Sequence, residues 1–377
     1  MNAAAPRPFC PPQRLLMGPG PSNVPARVLE AGAQATIGHL DPRFGELMEE
    51  LKAQLQWLFR TDNRLTLPVS GPGTAGMEAC FANLVEPGDT VLVCRNGAFG
   101  QRMVEMSERM GAEVIVVDAE WGRAVDPDQV EQTLKDHPRA ALLAFVHAET
   151  STGAASDAAG LARLAREHDC LSLMDCVTSL GGIPVEVDAW GVDAAWSGSQ
   201  KCLSCPPGLS PVTLSERAEA RISGRRSPVQ SWFLDFGLVM SYWGGEGGRS
   251  YHHTAPVNAL YGLHEALLML QEEGLEAAWQ RHAANHRLLA ERLEGLGLRF
   301  WVPQEERLPQ LNTVMIPEGR EDAAVRRELL ETHGIEIGAG LGPLAGRVWR
   351  IGLMGHTCHA ENVTRLGDAL EKTLAGN

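Results

Sequence analysis

Residues 194–208 read AAWSGSQKCLSCPPG. An apolar run passes into a small, polar, Gly-containing turn, and one lysine, Lys201, follows it. No charged residue stands at 202–211, and Asp193 is the nearest on the other side. Lysine is mostly a surface residue that stands among other charges, so one isolated in this way reads as a side chain aimed inward. The stretch AAWSGS (194–199) is the last in a series of short β-rich runs: LTLPVS (65–70), TVLVC (90–94), EVIVVD (113–118), ALLAFVH (141–147) and LSLMDC (171–176). Helical patterns lie between most of them, at 45–59, 75–85, 99–110, 127–136 and 157–168. Continuous apolar strands separated by helices predict an α/β fold with a mostly parallel central sheet between helices.

After about residue 257 the pattern changes. A long helical stretch over 259–297 is followed by RFWVP, NTVMIP, a helix near 321–333, GIEIG, RVWRIGLMG and a last helix. This predicts a smaller C-terminal α+β domain. The expected division is an N-terminal arm over 1–14, a large domain over 15–270 and a small domain over 271–377.

With 377 residues, 44% of them hydrophobic, the chain can bury a large core. Its net charge of −14 argues against nucleic acid or an anionic membrane as partner. It leaves room for a small anionic substrate beside a local arginine. The longest clean apolar run, AALLAFV at 140–146, falls far short of a membrane span. No apolar signal segment is visible at the start, so the expected compartment is the cytoplasm. Eight cysteines then read as reduced thiols, several of them buried. Cys202 and Cys205 form a lone C-x-x-C without the second pair that a zinc site needs, and GHTCH at 355–359 is the only other candidate cluster. No metal is expected.

Ligands of open α/β sheets gather at the carboxyl ends of the strands, and four places there stand out. SGPGTAGMEA (70–79) runs from a strand through a Gly-rich turn into a helix, which suits a phosphate or is only a turn. Asp175 ends an apolar strand; it is a cap or ion-pair partner, or an anion held for a protonated ring nitrogen. Lys201 either snorkels to water or offers an amine for a Schiff base. Arg350, inside the apolar RVWRIGLMG, makes a structural ion pair or clamps a carboxylate. A phosphate cradle, an aspartate, a lysine and a distant carboxylate clamp together match the needs of pyridoxal phosphate.

The same residues carry a resemblance. The segments GPGPSN, GHLDP, EPGD, NGAFGQR, ETSTG, DCVTSLGG, GVDAAWSGSQKCLSCPPG, YHHTAPV and RIGLMG occur in an order similar to that of the class V aminotransferases of the fold-type-I pyridoxal-phosphate superfamily, most of all the alanine–glyoxylate (serine–pyruvate) group. The resemblance runs from LLMGPGPSNVP at 15–25 nearly to the C-terminus. It implies that Lys201 holds the cofactor aldehyde, Asp175 the ring nitrogen and Val177 one ring face. Phe99 covers the other face, where tryptophan is frequent in the closest relatives, so the stacking area is smaller here. Gly73 and Thr74, helped by Gln200, match the phosphate turn, and Thr150 a hydroxyl near the phenolic oxygen. Tyr251 and Thr254 match residues that reach the phosphate of the neighbouring subunit, which implies a homodimer with shared active sites. Arg350 matches the substrate-carboxylate clamp, and Gly18 lies in a turn close to substrate. The implied reaction moves an amino group from a small L-amino acid, alanine or serine, to a small 2-oxo acid, glyoxylate or pyruvate.

Three other readings were weighed against this. A cysteine desulfurase needs a nucleophilic cysteine before the clamp arginine, yet none lies between Cys205 and Cys358, and Cys358 follows Arg350. A pyridoxamine–pyruvate aminotransferase shares the Lys-Cys-Leu and Pro-Pro-Gly texture but uses free pyridoxamine; YHHT argues for a bound phosphate. A non-catalytic or metal-binding protein built on the C-x-x-C leaves the lysine, aspartate and arginine without a use.

Overall fold

The computed structural model describes residues 7–244 and 249–375. Residues 7–13 are exposed and without regular structure, and the rest of the expected arm, residues 1–6, lies outside the described residues.

The expected α/β architecture holds. A seven-stranded sheet has the order Leu65–Ser70, Leu209–Leu214, Ala194–Trp196, Leu171–Asp175, Leu142–Val146, Thr90–Arg95, Glu113–Asp118. Neighbours from Ala194–Trp196 to the Glu113–Asp118 edge pair in parallel. Leu209–Leu214 is antiparallel to both of its neighbours. Position in the sheet explains composition. Every residue of Leu142–Val146 and Leu171–Asp175 is buried, because helices cover both faces. The edge strand Glu113–Asp118 carries charge at both ends and exposes Val116.

Asp41, Asp126 and Asp157 cap helices Pro42–Phe59, Pro127–Asp136 and Ala158–Glu167 by accepting backbone N–H bonds. Helices Gly73–Leu84 and Ala98–Arg109 have no side-chain cap from their N-cap residues, Pro72 and Gly97. Their first amides are left for other partners.

A second core, with Leu289, Val314, Trp349, Ile351 and Leu366 at its centre, surrounds the antiparallel strands Leu311–Met315, Val348–Gly352 and Gly338–Ala339. The two largest of three cores among the described residues support our proposal of a large and a small domain over 15–270 and 271–377, although Leu275 and Ala278 belong to the first core and a small third cluster, with Ala148, Cys202, Leu308, Leu311 and Met354, draws on both ranges. At one end the chain departs from that division. Leu15–Leu16 pairs in parallel with Ile335–Glu336, and Leu15 and Met17 belong to the second core. Gly352 N–H donates to Met17 O (2.8 Å), so the chain from 15 to 17 is stapled to the small domain before it turns toward Lys201.

The residues around the two cores meet at a clasp. Trp301 Nε1 donates to Trp121 O (2.9 Å), and the Arg123 guanidinium binds Glu306 at 2.7 Å. Gly122 lies between them at φ +99°, with a β-carbon there only 2.4 Å from Trp301. Gly122→Ala combines backbone strain with a clash, for a loss of roughly 2–4 kcal/mol. Gly88, at φ +86° with open space around it, supplies the strain alone when changed to alanine. Thermal unfolding should therefore show a larger drop for Gly122→Ala than for Gly88→Ala; equal drops would remove Trp301 from the account.

Candidate active site

Asp175 ends its strand with its carboxylate in the protein interior, and Oδ1 accepts the Val177 N–H at 2.9 Å. Burial lifts the carboxyl to about 7; the Val177 bond opposes this, and the charge of Glu149 adds to it. Among the described residues no cationic side chain pairs with Asp175 at ion-pair distance. A buried acid in that state favours a cation placed against it.

Lys201 follows the next strand in a turn that is fixed from two sides. Ser22 N–H donates to Gln200 O (2.9 Å), Ser22 Oγ to Lys201 O (2.7 Å), and Ser204 N–H to Lys201 O (3.1 Å). The Lys201 ammonium donates to Pro19 O. Gly20, at φ +99°, lies under it, and a β-carbon there would be 2.6 Å from Nζ. Burial first, and then the charge of Arg350, lowers the lysine pKa to about 8.

Arg350 reaches the same place from the middle strand of the three-stranded sheet. Nε donates to Ala339 O (2.7 Å) and Nη1 to Thr150 O (3.2 Å). A guanidinium has five N–H donors, so most of its outer edge is left for an anion. No described carboxylate forms an ion pair with it, and burial lowers its pKa to about 10. Gly18 backs onto Ile337, Gly338 and Gly352 in the turn beside it.

The opposite wall comes from the starts of Gly73–Leu84 and Ala98–Arg109. A β-carbon at Gly73 would stand 3.1 Å from Val177 Cγ2 and 3.3 Å from Ser197 O, so glycine lets that helix start approach without displacing either neighbour. Gln200 Oε1 is buried with no hydrogen-bond partner among the described residues, 2.9 Å from where a Gly198 β-carbon would be. Phe99 is half-buried on the first turn of Ala98–Arg109. The Thr150 side chain is buried, and its carbonyl serves Arg350. Tyr251 and Thr254 are not among these groups: both are exposed, and the Tyr251 ring touches His39.

The arrangement also contains groups that the sequence reading passed over. Glu149 is completely buried. It accepts the N–H groups of Phe99 (3.1 Å) and Gly100 (3.4 Å) and both the N–H and hydroxyl of Ser151. It thus caps from outside the helix that carries Phe99. Burial raises its pKa. The signal was present: Glu149 follows an apolar strand just as Asp175 does. Pro19, Gly20, Ser22 and Arg102 are further members.

A family model described as aminotransferase class-V matches residues 14–366. The chain belongs to the class V aminotransferases. A curated relative, alanine–glyoxylate aminotransferase of Oryctolagus cuniculus, is 42% identical over 370 residues, covering 98% of this chain and 94% of the relative. The crystal structure of an alanine–glyoxylate aminotransferase from Nostoc sp. superposes with a TM-score of 0.96 at 50% identity, over 98% of each chain. A pyridoxamine–pyruvate aminotransferase from Mesorhizobium loti is similar with a TM-score of 0.90 at 27% identity, over 96% of this chain and 92% of that one. This aminotransferase therefore acts on amino acids and oxo acids.

The C-x-x-C of this aminotransferase is two buried free thiols, each pushed up to about 12 by burial. Among the described residues no group of three or more His, Cys, Asp or Glu side chains stands together as a metal site. Among the described residues no helix is long and apolar enough to cross a membrane.

Proposed function

We propose that this aminotransferase carries pyridoxal phosphate between Phe99 and Val177 and moves an amino group from L-alanine or L-serine to glyoxylate or pyruvate. One observation carries the reading: a buried acid without an ion-pair partner and an arginine with a free edge both act electrostatically on one buried lysine, Lys201. The donor set suits the cofactor. The uncapped start of Gly73–Leu84, with Gly73, Thr74 and the amide N–H donors of Gln200, suits a phosphate, and Asp175 suits a protonated ring nitrogen. When bound, the cofactor supplies an aldehyde for the amino group and a cationic ring that accepts the electron pair left on Cα.

The chain's own residues do the rest. Arg350 binds the carboxylate of donor and acceptor in turn, and so sets Cα beside Lys201. Lys201 Nζ takes the Cα proton of the donor, and in the return half delivers one to Cα of the acceptor. Its lowered pKa keeps a share of free amine near neutral pH, as a general base requires. Asp175 holds the positive charge at the closed end of the site. The oxo acid of the donor leaves before the acceptor enters, so kinetics are ping-pong. Thr150 is assigned to the phenolic oxygen and Gly18 to the substrate side.

The exposed side chains of Tyr251 and Thr254 support a homodimer in which each subunit completes its neighbour's phosphate site. Eight unpaired thiols support a reducing compartment, the cytoplasm.

Conversion of alanine and glyoxylate to pyruvate and glycine by purified enzyme tests the reaction; serine and pyruvate are the parallel pair. Arg350→Met should raise KM for both substrates on the order of 100-fold, with cofactor affinity kept within about twofold. Equal loss of both would remove the clamp role. The Mesorhizobium likeness favours a second reading, amino transfer from free pyridoxamine to pyruvate. A colourless protein that consumes pyridoxamine would select it.

A further inference from the structure

Arg102 has no part in the mechanism above, although it stands on the first turns of the helix that carries Phe99. It follows Phe99 by three residues, so the two side chains share a helix face. Its guanidinium carbon lies 5.0 Å from the centre of the Phe99 ring, and Nη1 donates to Thr74 Oγ1 at 3.0 Å. Among the described residues no carboxylate pairs with it. Thr74 is the second residue of the helix whose first turn no side chain caps.

The chemistry of the Arg102–Thr74 bond is one-sided. A guanidinium only donates, so Thr74 Oγ1 must accept. The hydroxyl proton is then free to point elsewhere, and the adjacent positive charge polarises it as a donor. It emerges at a helix N-terminus, where the backbone amides already favour an anion. The Phe99 ring limits where the flat guanidinium can rest, and so aims it.

We propose that Arg102 is a positioning residue for the cofactor phosphate: braced on Phe99, it turns the Thr74 hydroxyl into a committed donor to the anion. This rests on the reading of Gly73 and Thr74 as the phosphate turn. It assigns Arg102 to the phosphate and not to the pyridine ring or the substrate carboxylate.

The test compares pyridoxal phosphate with pyridoxal, which lacks the phosphate, in titrations of cofactor-free enzyme followed by tryptophan fluorescence. Thr74→Val and Arg102→Met should each weaken pyridoxal phosphate about tenfold, the loss of one charge-assisted bond, and leave pyridoxal within about twofold. The double variant should bind no more weakly than Thr74→Val alone, because Arg102 acts through Thr74. Arg102→Gln, which keeps a neutral donor, should fall between parent and Arg102→Met. It also serves as the test variant should Arg102→Met lower the unfolding midpoint of the cofactor-free protein.

Each contrary result is decisive. Thr74→Val with unchanged phosphate selectivity overturns the turn assignment and the proposal with it. Thr74→Val weakened but both Arg102 variants normal overturns the proposal alone. Additive losses in the double variant, or equal losses of pyridoxal and pyridoxal phosphate, also overturn it, because Arg102 would then act by another route.

Discussion

Lys201→Ala enzyme should lose turnover by a factor on the order of 10⁴ or more while keeping its fold. The change removes both the amine that anchors the cofactor aldehyde and the base that moves the Cα proton, and such groups acting as one unit are not additive. Borohydride reduction followed by peptide mass analysis should find cofactor attached to Lys201 in the parent and to no lysine in the variant. The pH dependence of attachment checks the environment. Neutral amine is the reactive form, and it is the majority form above the pKa. With Lys201 lowered to about 8 by burial and by Arg350, attachment should accelerate up to about pH 8 and then level off. A rate still climbing toward pH 10, as for an ordinary lysine, would mean that the amine is not held in the interior as described.

Asp175→Asn should separate stability from function. In the cofactor-free protein the Asp175 carboxyl is raised to about 7 by burial, whereas in the unfolded chain it ionises near 4. A group raised on folding is no burden below its unfolded value. It costs stability increasingly as pH climbs from its unfolded value to its folded value, and the cost is complete above that, where the folded state buries the charge. Asparagine carries no such cost. The variant should therefore gain roughly 2–4 kcal/mol over the parent at pH 8 and much less at pH 4, read from the unfolding midpoints of the cofactor-free proteins. Its activity should fall on the order of 10³-fold, since an amide cannot hold a positive charge on the ring. A variant that is both less stable and inactive at pH 8 would make Asp175 a structural cap and not a stored anion.

Much of the large domain was legible because its strands are buried on both faces and so read as unbroken apolar runs. The expected runs at 90–94, 141–147 and 171–176 became Thr90–Arg95, Leu142–Val146 and Leu171–Asp175. Leu209–Leu214 is not among the expected strands; it carries Pro211, a residue that sheet ladders rarely accept. In the sheet Pro211 stands opposite Pro68. Two residues without an N–H can face each other only where the antiparallel ladder needs no bond between them. The long helical stretch at 259–297 is two helices, Val257–Glu273 and Leu275–Gly295, joined at Gly274 with φ +85°. A single glycine inside a strong helical pattern is tolerated often enough that the pattern alone does not reveal the break.

Local sequence by itself determined the strand ends, and with them Asp175 and Lys201, because a polar residue at the close of an apolar strand is a strong local signal. It also determined the Gly-rich helix start at 70–79 and an arginine that an apolar strand cannot bury without a partner. Only the tertiary structure decided what meets what. Arg350 lies in the three-stranded sheet and Lys201 follows a strand of the seven-stranded one, and Gly20 lies under a lysine far along the chain. Glu149 caps the helix of Phe99, and Leu15 and Met17 fill a core built from the other end of the chain. These contacts are long-range, and their strength comes from burial. Burial moves Asp175, Lys201 and Arg350 away from their ordinary pKa values, and it is a property of the packed fold, with no local pattern to announce it.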